Sequence, residues 1–319
     1  MLKNQDFTQD RSKYLGGSDI APILGLSKYR TSVDVWLEKT GKHVFYKDSL
    51  PLRFGKFAEA FVAQEYAQST GQHLSHQEQA VLHTQYPYLQ GHIDRFVMDN
   101  QKEPVFNEQG ICLAHKILEC KTANAYSQHD WGEPGTDQIP MPYLVQCSWY
   151  MLLTQVEQCD LAVLIGNADL RIYPIHRDLE LEALLLHHTT RFWEEHVLRD
   201  IPPQAKTEAD YQQLFRKGAA KSVEANPDTV EMIQRLHTVQ TEIESYEIEV
   251  SQIKQHIMGQ MQDAEVLTYT GKTLATWRAP KPSTRLDAKR LANEHPEWVT
   301  PYQVPVQSSR RLLIKQVRD

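Results

Sequence analysis

Two acids and a lysine stand where they could act together on a phosphodiester. Asp94 lies in the strand-like run Gly91-His92-Ile93-Asp94-Arg95-Phe96-Val97-Met98. Glu119 and Lys121 lie in a second run, Lys116-Ile117-Leu118-Glu119-Cys120-Lys121-Thr122. Strand side chains alternate between faces, so Glu119 and Lys121 share one surface while Leu118 and Cys120 take the other. If the two strands pair, Asp94 joins them. Such a trio suits metal-assisted phosphodiester hydrolysis, with acids to hold divalent cations and an ammonium to position water or offset developing charge. An Asp and a distant Glu-x-Lys are common on polar surfaces. Here both sit among apolar residues, where unpaired charge is costly and calls for a reason.

Further candidates come from the helical stretches. A helix expected from Phe54 into the 60s carries Phe54, Phe57, Phe61, Val62 and Tyr66 at helical spacing, which reads as a core face. Glu59 lies at its border and Glu65 nearer its middle, and either could turn inward as a ligand or stay in solvent. A helix expected over 141–154 places Gln146 among Tyr143, Trp149, Tyr150 and Leu153. A buried amide needs partners, so Gln146 is a structural hydrogen bonder or faces the site. Near the start, Arg11 precedes Gly16-Gly17-Ser18-Asp19, with Ser18 expected as N-cap of a short helix ended by Gly25. Exposed N–H groups beside an arginine could seat a phosphate, or the segment is simply a capped surface helix.

The elements that must position these residues follow from the rest of the chain. Short strands are expected near 80–83, 159–165 and 170–175, and a helix over 123–131. An amphipathic helix follows through Phe192 and Trp193 to Leu198, and the loop over 100–110 separates the two acid-bearing strands. Ile201-Pro202-Pro203 marks the clearest boundary, giving a core of 1–203 and a C-terminal extension of 204–319. The extension reads as a long helix over 229–262 with Ile243, Tyr246, Val250 and Ile253 in steps of three and four. That stripe suits core packing or a short coiled coil with a neighbouring subunit. A hairpin turned at Thr270-Gly271 follows, then a basic tail with Arg285, Lys289, Arg290, Arg310, Arg311, Lys315 and Arg318.

With 319 residues, 41% hydrophobic and 24% charged, the chain reads as an ordinary globular protein of one large or two modest domains. A net charge of -7 argues against a uniformly basic nucleic-acid coat, but leaves room for a local basic groove. Cys112, Cys120, Cys147 and Cys159 show no C-x-x-C spacing and read as reduced, buried thiols. The N-terminus lacks an apolar signal core and no run reaches membrane-span length, so a cytoplasmic protein is expected.

Taken together, five blocks resemble one known family: Arg11 with Gly17-Ser18-Asp19-Ile20, Phe54-Gly55-Lys56-Phe57-Ala58-Glu59, Gly91-His92-Ile93-Asp94, Leu118-Glu119-Cys120-Lys121 and Tyr143-Leu144-Val145-Gln146. Their order and style are similar to the YqaJ-type viral recombinases, a family that includes phage lambda exonuclease and belongs to the PD-(D/E)XK nuclease superfamily. The resemblance covers about 11–203, and the region beyond looks like the extension of some phage and prophage members. It implies an α+β fold, a mixed central sheet flanked by helices in an α/β/α core, with the long helix and a small β-rich extension beyond.

The resemblance also implies roles. Asp94 would bridge two Mg²⁺ ions, which Mn²⁺ could replace. Glu119 and Glu59 would bind one of them, with the backbone carbonyl of Cys120 completing the shell, which favours Glu59 over Glu65. Lys121 would position or activate water, and Gln146 would orient water or phosphate. Arg11 and Ser18 match positions that hold a 5′-terminal phosphate, together with His92, where a small hydroxyl or apolar residue is more usual. An oxygen-rich shell suits magnesium or manganese and not zinc. The implied activity is 5′→3′ digestion of one strand of linear double-stranded DNA to 5′-mononucleotides, leaving 3′ single strands for recombination. A homotrimeric ring, a single-strand annealing partner and a phage or prophage gene expressed in a bacterial host accompany it. An endonuclease of the same superfamily is the alternative. A non-catalytic DNA-end-binding scaffold is a third reading, against which all the expected polar positions are filled.

Overall fold

The computed structural model describes residues 10–43, 49–99, 104, 106–107, 112–304 and 310–315, so Arg318 and most of the 100–110 loop lie outside the described residues. The chain divides into two compact units between Leu214 and Phe215.

The first unit contains β1 (His73–Ser75), β2 (Val81–Leu82), β3 (Gln90–Gly91), β4 (Arg95–Met98), β5 (Lys116–Ala123), β6 (Gln158–Ile165) and β7 (Asp169–His176). Its helices are α1 (Gly17–Leu24), α2 (Ser32–Lys39), α3 (Leu50–Thr70), α4 (Met141–Thr154), α5 (Leu179–Phe192) and α6 (Glu208–Leu214). Five strands form one mixed sheet in the order β1-β4-β5-β6-β7, while β2 and β3 make a separate ribbon. β5 and β6 are parallel, and the crossover between them carries α4. The other pairings in the sheet are antiparallel. Cys159–Ile165 are all buried, which is what a strand covered on both faces requires.

Helices cover both faces. On one, α1, α2, α4 and α5 enclose a core that includes Ile20, Trp36, Ile117, Trp149, Leu161 and Leu185. On the other, α3 sets Val62, Ala63 and Tyr66 on Val97, Leu118, Cys120 and Ala162. This is an α/β/α layering around a mixed sheet, as expected. The alternation expected for β5 holds, since Ile117 belongs to the α4 side and Leu118 and Cys120 to the α3 side.

Several expectations are corrected. Phe54, Phe57 and Phe61 do not face the core, being 48%, 81% and 49% exposed. The buried row of α3 is instead Ala58, Val62, Ala63 and Tyr66, whose small members let the helix lie close to the sheet. The Asp94 strand is interrupted: β3 ends at Gly91 and β4 begins at Arg95, which leaves Asp94 in the break. The expected helix over 123–131 is a 3-10 turn, Ala125–Asp130, because β5 runs on to Ala123. Pro203 is not the edge of the core. Asp210 of α6 is buried and accepts hydrogen bonds from Thr31 Oγ1 at 2.6 Å and from the Lys206 N–H at 2.8 Å, while Gln213 donates to Asp34 at 2.9 Å. These bonds hold the segment after the prolines to the first unit.

The second unit holds α7 (Pro227–Met261), a hairpin of β8 (Val266–Tyr269) and β9 (Lys272–Thr276), α8 (Ala288–Glu294) and α9 (Pro296–Val299). Among the described residues its only strands are this hairpin, so it is less β-rich than expected. Thr270 and Gly271, with φ of 47° and 78°, make the expected tight turn. The α7 stripe of Ile243, Tyr246, Val250 and Ile253 is exposed within its unit. All four cysteines are free and buried. Among the described residues, no helix is long and apolar enough to cross a membrane.

Candidate active site

The break before β4 and the far half of β5 together build the site. β4 pairs with β5 only as far as Arg95 opposite Leu118, so beyond that point one edge of β5 has lost its strand partner. Asp94 fills the gap, its carboxylate accepting the Cys120 N–H at 2.8 Å. In a strand the N–H and C=O of one residue project to the same side, so the Cys120 carbonyl faces this edge too. The thiol of Cys120 points the other way, into the α3 layer, where burial pushes its pKa up.

Glu119 is buried, with 1% of its surface exposed. Its Oε1 pairs with Lys121 Nζ and accepts from Gln146 Nε2 at 2.7 Å, whereas its Oε2 is buried without a hydrogen-bond partner. Gln146, reaching in from α4, also donates to Tyr150 Oη at 2.9 Å. The amide expected to be either structural or site-facing is therefore both. Lys121 lies over the Tyr143 ring, 5.7 Å from its centroid. Burial disfavours its charge, but Glu119 and Asp94 outweigh burial and hold its pKa above the ordinary lysine value. Asp94 shows the opposite balance: burial, then the charges of Glu119 and Glu59, push its carboxyl well above the usual range, against the pull of Lys121.

Glu59 approaches from α3 and accepts from Arg95 at 2.9 Å, while Arg95 also donates to the Asp94 carbonyl. Among the described residues, no three His, Cys, Asp or Glu side chains converge as a ready-made metal shell. The donors still fit a hard divalent cation, since they are all oxygen, Glu119 Oε2 is orphaned, and mutual repulsion raises Asp94. Asp94, Glu119 and the Cys120 carbonyl would hold it, with Glu59 added once Arg95 releases it.

Arg11 and Ser18 meet on the outer side of α1, Arg11 NH2 lying 3.2 Å from Ser18 Oγ. Ser18 is not the N-cap. Gly16 takes that place, its N–H donating to Asp19 Oδ2 at 3.0 Å, which leaves the Ser18 hydroxyl at the surface. His92, also exposed, lies between β3 and Asp94. Partial burial of its ring and, after it, the charge of Arg11 lower its pKa. Sequence reasoning missed Arg95, although it follows Asp94 directly, and it treated Tyr150 as packing alone.

Residues 6–157 match the profile of the YqaJ-like viral recombinase domain. This stretch, a little under half of the chain, is similar to the YqaJ-like viral recombinase domain. It is similar to the uncharacterized protein YqaJ of Bacillus subtilis (strain 168), with 28% identity over 310 residues, 93% of this chain and 91% of that protein. Among solved structures it is similar to an alkaline exonuclease, LHK-Exo, from Laribacter hongkongensis, at 16% identity and a TM-score of 0.46 over 60% of this chain and 91% of that one. A phage-related exonuclease from Haemophilus somnus 129PT aligns at 12% identity and a TM-score of 0.41, over 59% of this chain and 96% of that one. Every candidate residue of the site lies inside the span of the YqaJ-like domain.

Proposed function

We propose that the YqaJ-like domain is a divalent-metal-dependent exonuclease that digests one strand of linear double-stranded DNA in the 5′→3′ direction, leaving 3′ single-stranded ends for recombination. The observation that carries this reading is the orphaned Oε2 of buried Glu119 beside Asp94, Lys121 and Gln146. Asp94, Glu119, Glu59 and the Cys120 carbonyl hold the cations, for which Mg²⁺ is the fitting choice and Mn²⁺ a substitute. When bound, the ions supply a water of lowered pKa and neutralise charge on the phosphate and the leaving oxygen.

The chain's own groups do the remaining work. Lys121, kept charged by its carboxylate neighbours, holds the attacking water or a phosphate oxygen. Gln146 fixes Glu119 Oε1 so that Oε2 faces the ligand. Arg11, Ser18 and His92 receive the terminal 5′-phosphate and so set polarity. A homotrimeric ring, a single-strand annealing partner and a place in the cytoplasm of a phage-carrying bacterium belong to the same reading.

Digestion of duplex DNA in Mg²⁺ tests it, with linear 5′-phosphorylated, linear 5′-hydroxyl and closed circular substrates side by side. Loss of the linear strand with intact circles and release of 5′-mononucleotides is expected. Cut circles would replace the exonuclease with an endonuclease.

A further inference from the structure

Beneath the Arg11–Ser18 contact lies a charge network that the roles above do not use. Asp19 is fully buried, its Oδ2 facing Lys39 Nζ at 2.8 Å and its Oδ1 facing Arg30 at 3.3 Å and Arg11 at 3.5 Å. Glu38 bridges the two guanidiniums, Oε1 accepting from Arg11 Nε at 2.8 Å and Oε2 from Arg30 NH2 at 2.5 Å. Lys39, whose side chain is fully buried, donates to the Arg11 carbonyl at 2.9 Å. Arg11 is thus held at Nε, at NH2 and through its backbone. A half-exposed arginine would otherwise spread over many rotamers, and fixing it before a ligand arrives removes that cost from binding.

Arg11, Arg30 and Lys39 gather around the Asp19 and Glu38 carboxylates, so the two guanidiniums share the same pair of acids. Arg11 is the most exposed of the five at 48%, against 24% for Arg30, 13% for Glu38 and none for Asp19 and Lys39. Arg11 is therefore the member of this network that a ligand can reach, beside the Ser18 hydroxyl.

We infer that Glu38 and Arg30 are positioning residues for a terminal phosphate. Glu38 aims the Arg11 guanidinium, and Arg30 balances the two carboxylates so that the charge of Arg11 remains available. This rests on the reading of Arg11 and Ser18 as the 5′-phosphate seat and names the residues that make the seat selective.

The test is the ratio of kcat/KM on 5′-phosphorylated to 5′-hydroxyl linear duplex, measured for the wild type and for Glu38→Ala, Glu38→Gln and Arg30→Gln. Glu38→Ala leaves Arg11 unaimed although the net positive charge rises, and should lower the ratio about tenfold through KM for phosphorylated ends. Glu38→Gln keeps an acceptor for Arg11 Nε and should preserve the ratio. Arg30→Gln leaves Arg11 to face both carboxylates without the second guanidinium and should lower it, with Arg30→Lys restoring it in part. A purely structural defect slows both substrates alike and leaves the ratio in place, so unchanged ratios in Glu38→Ala and Arg30→Gln overturn the inference. A raised ratio in Glu38→Ala, the result of bulk charge alone, overturns it as well. If the wild type does not distinguish the two ends, the phosphate seat itself is wrong and the inference falls with it. A wild type that discriminates beside variants that do so equally well refutes the positioning roles alone.

Discussion

The backbone N–H of Cys120 donates to the carboxylate of Asp94 at 2.8 Å, on the stretch of β5 that β4 no longer covers. One acid side chain thus stands in for a missing strand. The same break that removes the strand partner directs the Cys120 carbonyl and the carboxylate of Asp94 toward one place.

Replacing Asp94 with Asn keeps an acceptor for Cys120 but removes a charge that burial, Glu119 and Glu59 all disfavour. Without metal, Asp94→Asn should be more stable than the wild type by about 1 to 4 kcal/mol in urea unfolding, while nuclease activity is lost. A destabilised and active variant would contradict both the electrostatic balance and the metal-holding role.

Arg95 competes for Glu59 at 2.9 Å, and its guanidinium is only partly exposed. Arg95→Gln should therefore tighten Mn²⁺ binding about two- to fivefold by calorimetry, the worth of a partly exposed ion pair. Unchanged or weakened affinity would mean that Glu59 already faces the metal when Arg95 is present.

Two glycines make room for Tyr150. A Cβ on Gly17 would fall 2.7 Å from its hydroxyl, and one on Gly91 would fall 2.8 Å from the ring and 2.9 Å from Leu153. Gly17→Ala and Gly91→Ala should each cost about 1 to 3 kcal/mol in chemical denaturation. Because both push on one ring, the double variant should lose less than the sum of the two.

Asp19 gives the acid limb of stability. Burial alone would raise its pKa, but Lys39, Arg11 and Arg30 together outweigh burial and hold it below the ordinary 3.8. A lowered folded-state value means that the contribution is complete above the unfolded value and drains away as pH falls through the folded one. Lys39 itself sits below the usual lysine range, because burial outweighs Asp19 and the nearby Arg11 opposes its charge. Asp19→Asn, which leaves that buried ammonium only the more distant Glu38 carboxylate at 3.8 Å, should cost about 3 to 5 kcal/mol at neutral pH. Its stability should also change less than that of the wild type on acidification below pH 4, followed by thermal unfolding across pH.

Much of the site was legible because its chemistry is local. Glu119 and Lys121 share a face by strand alternation alone, and α4 and the β8–β9 turn fall where periodicity and Thr270-Gly271 put them. What was not legible depended on contacts between distant segments. Nothing in the helical repeat of α3 shows that Ala58 and Ala63, rather than the phenylalanines, meet the sheet. Ser18 looks like an N-cap until Asp19 is seen to cap Gly16, and the role of α6 emerges only from Asp210 on Thr31 and Gln213 on Asp34.

Tyr150 stands between the two ends of the site. Its ring abuts Gly17 at the start of α1 and Gly91 just before His92, and its hydroxyl connects through Gln146 to Glu119. One buried phenol therefore ties the start of α1, the end of β3 and, through Gln146, the Glu119 carboxylate into a single arrangement.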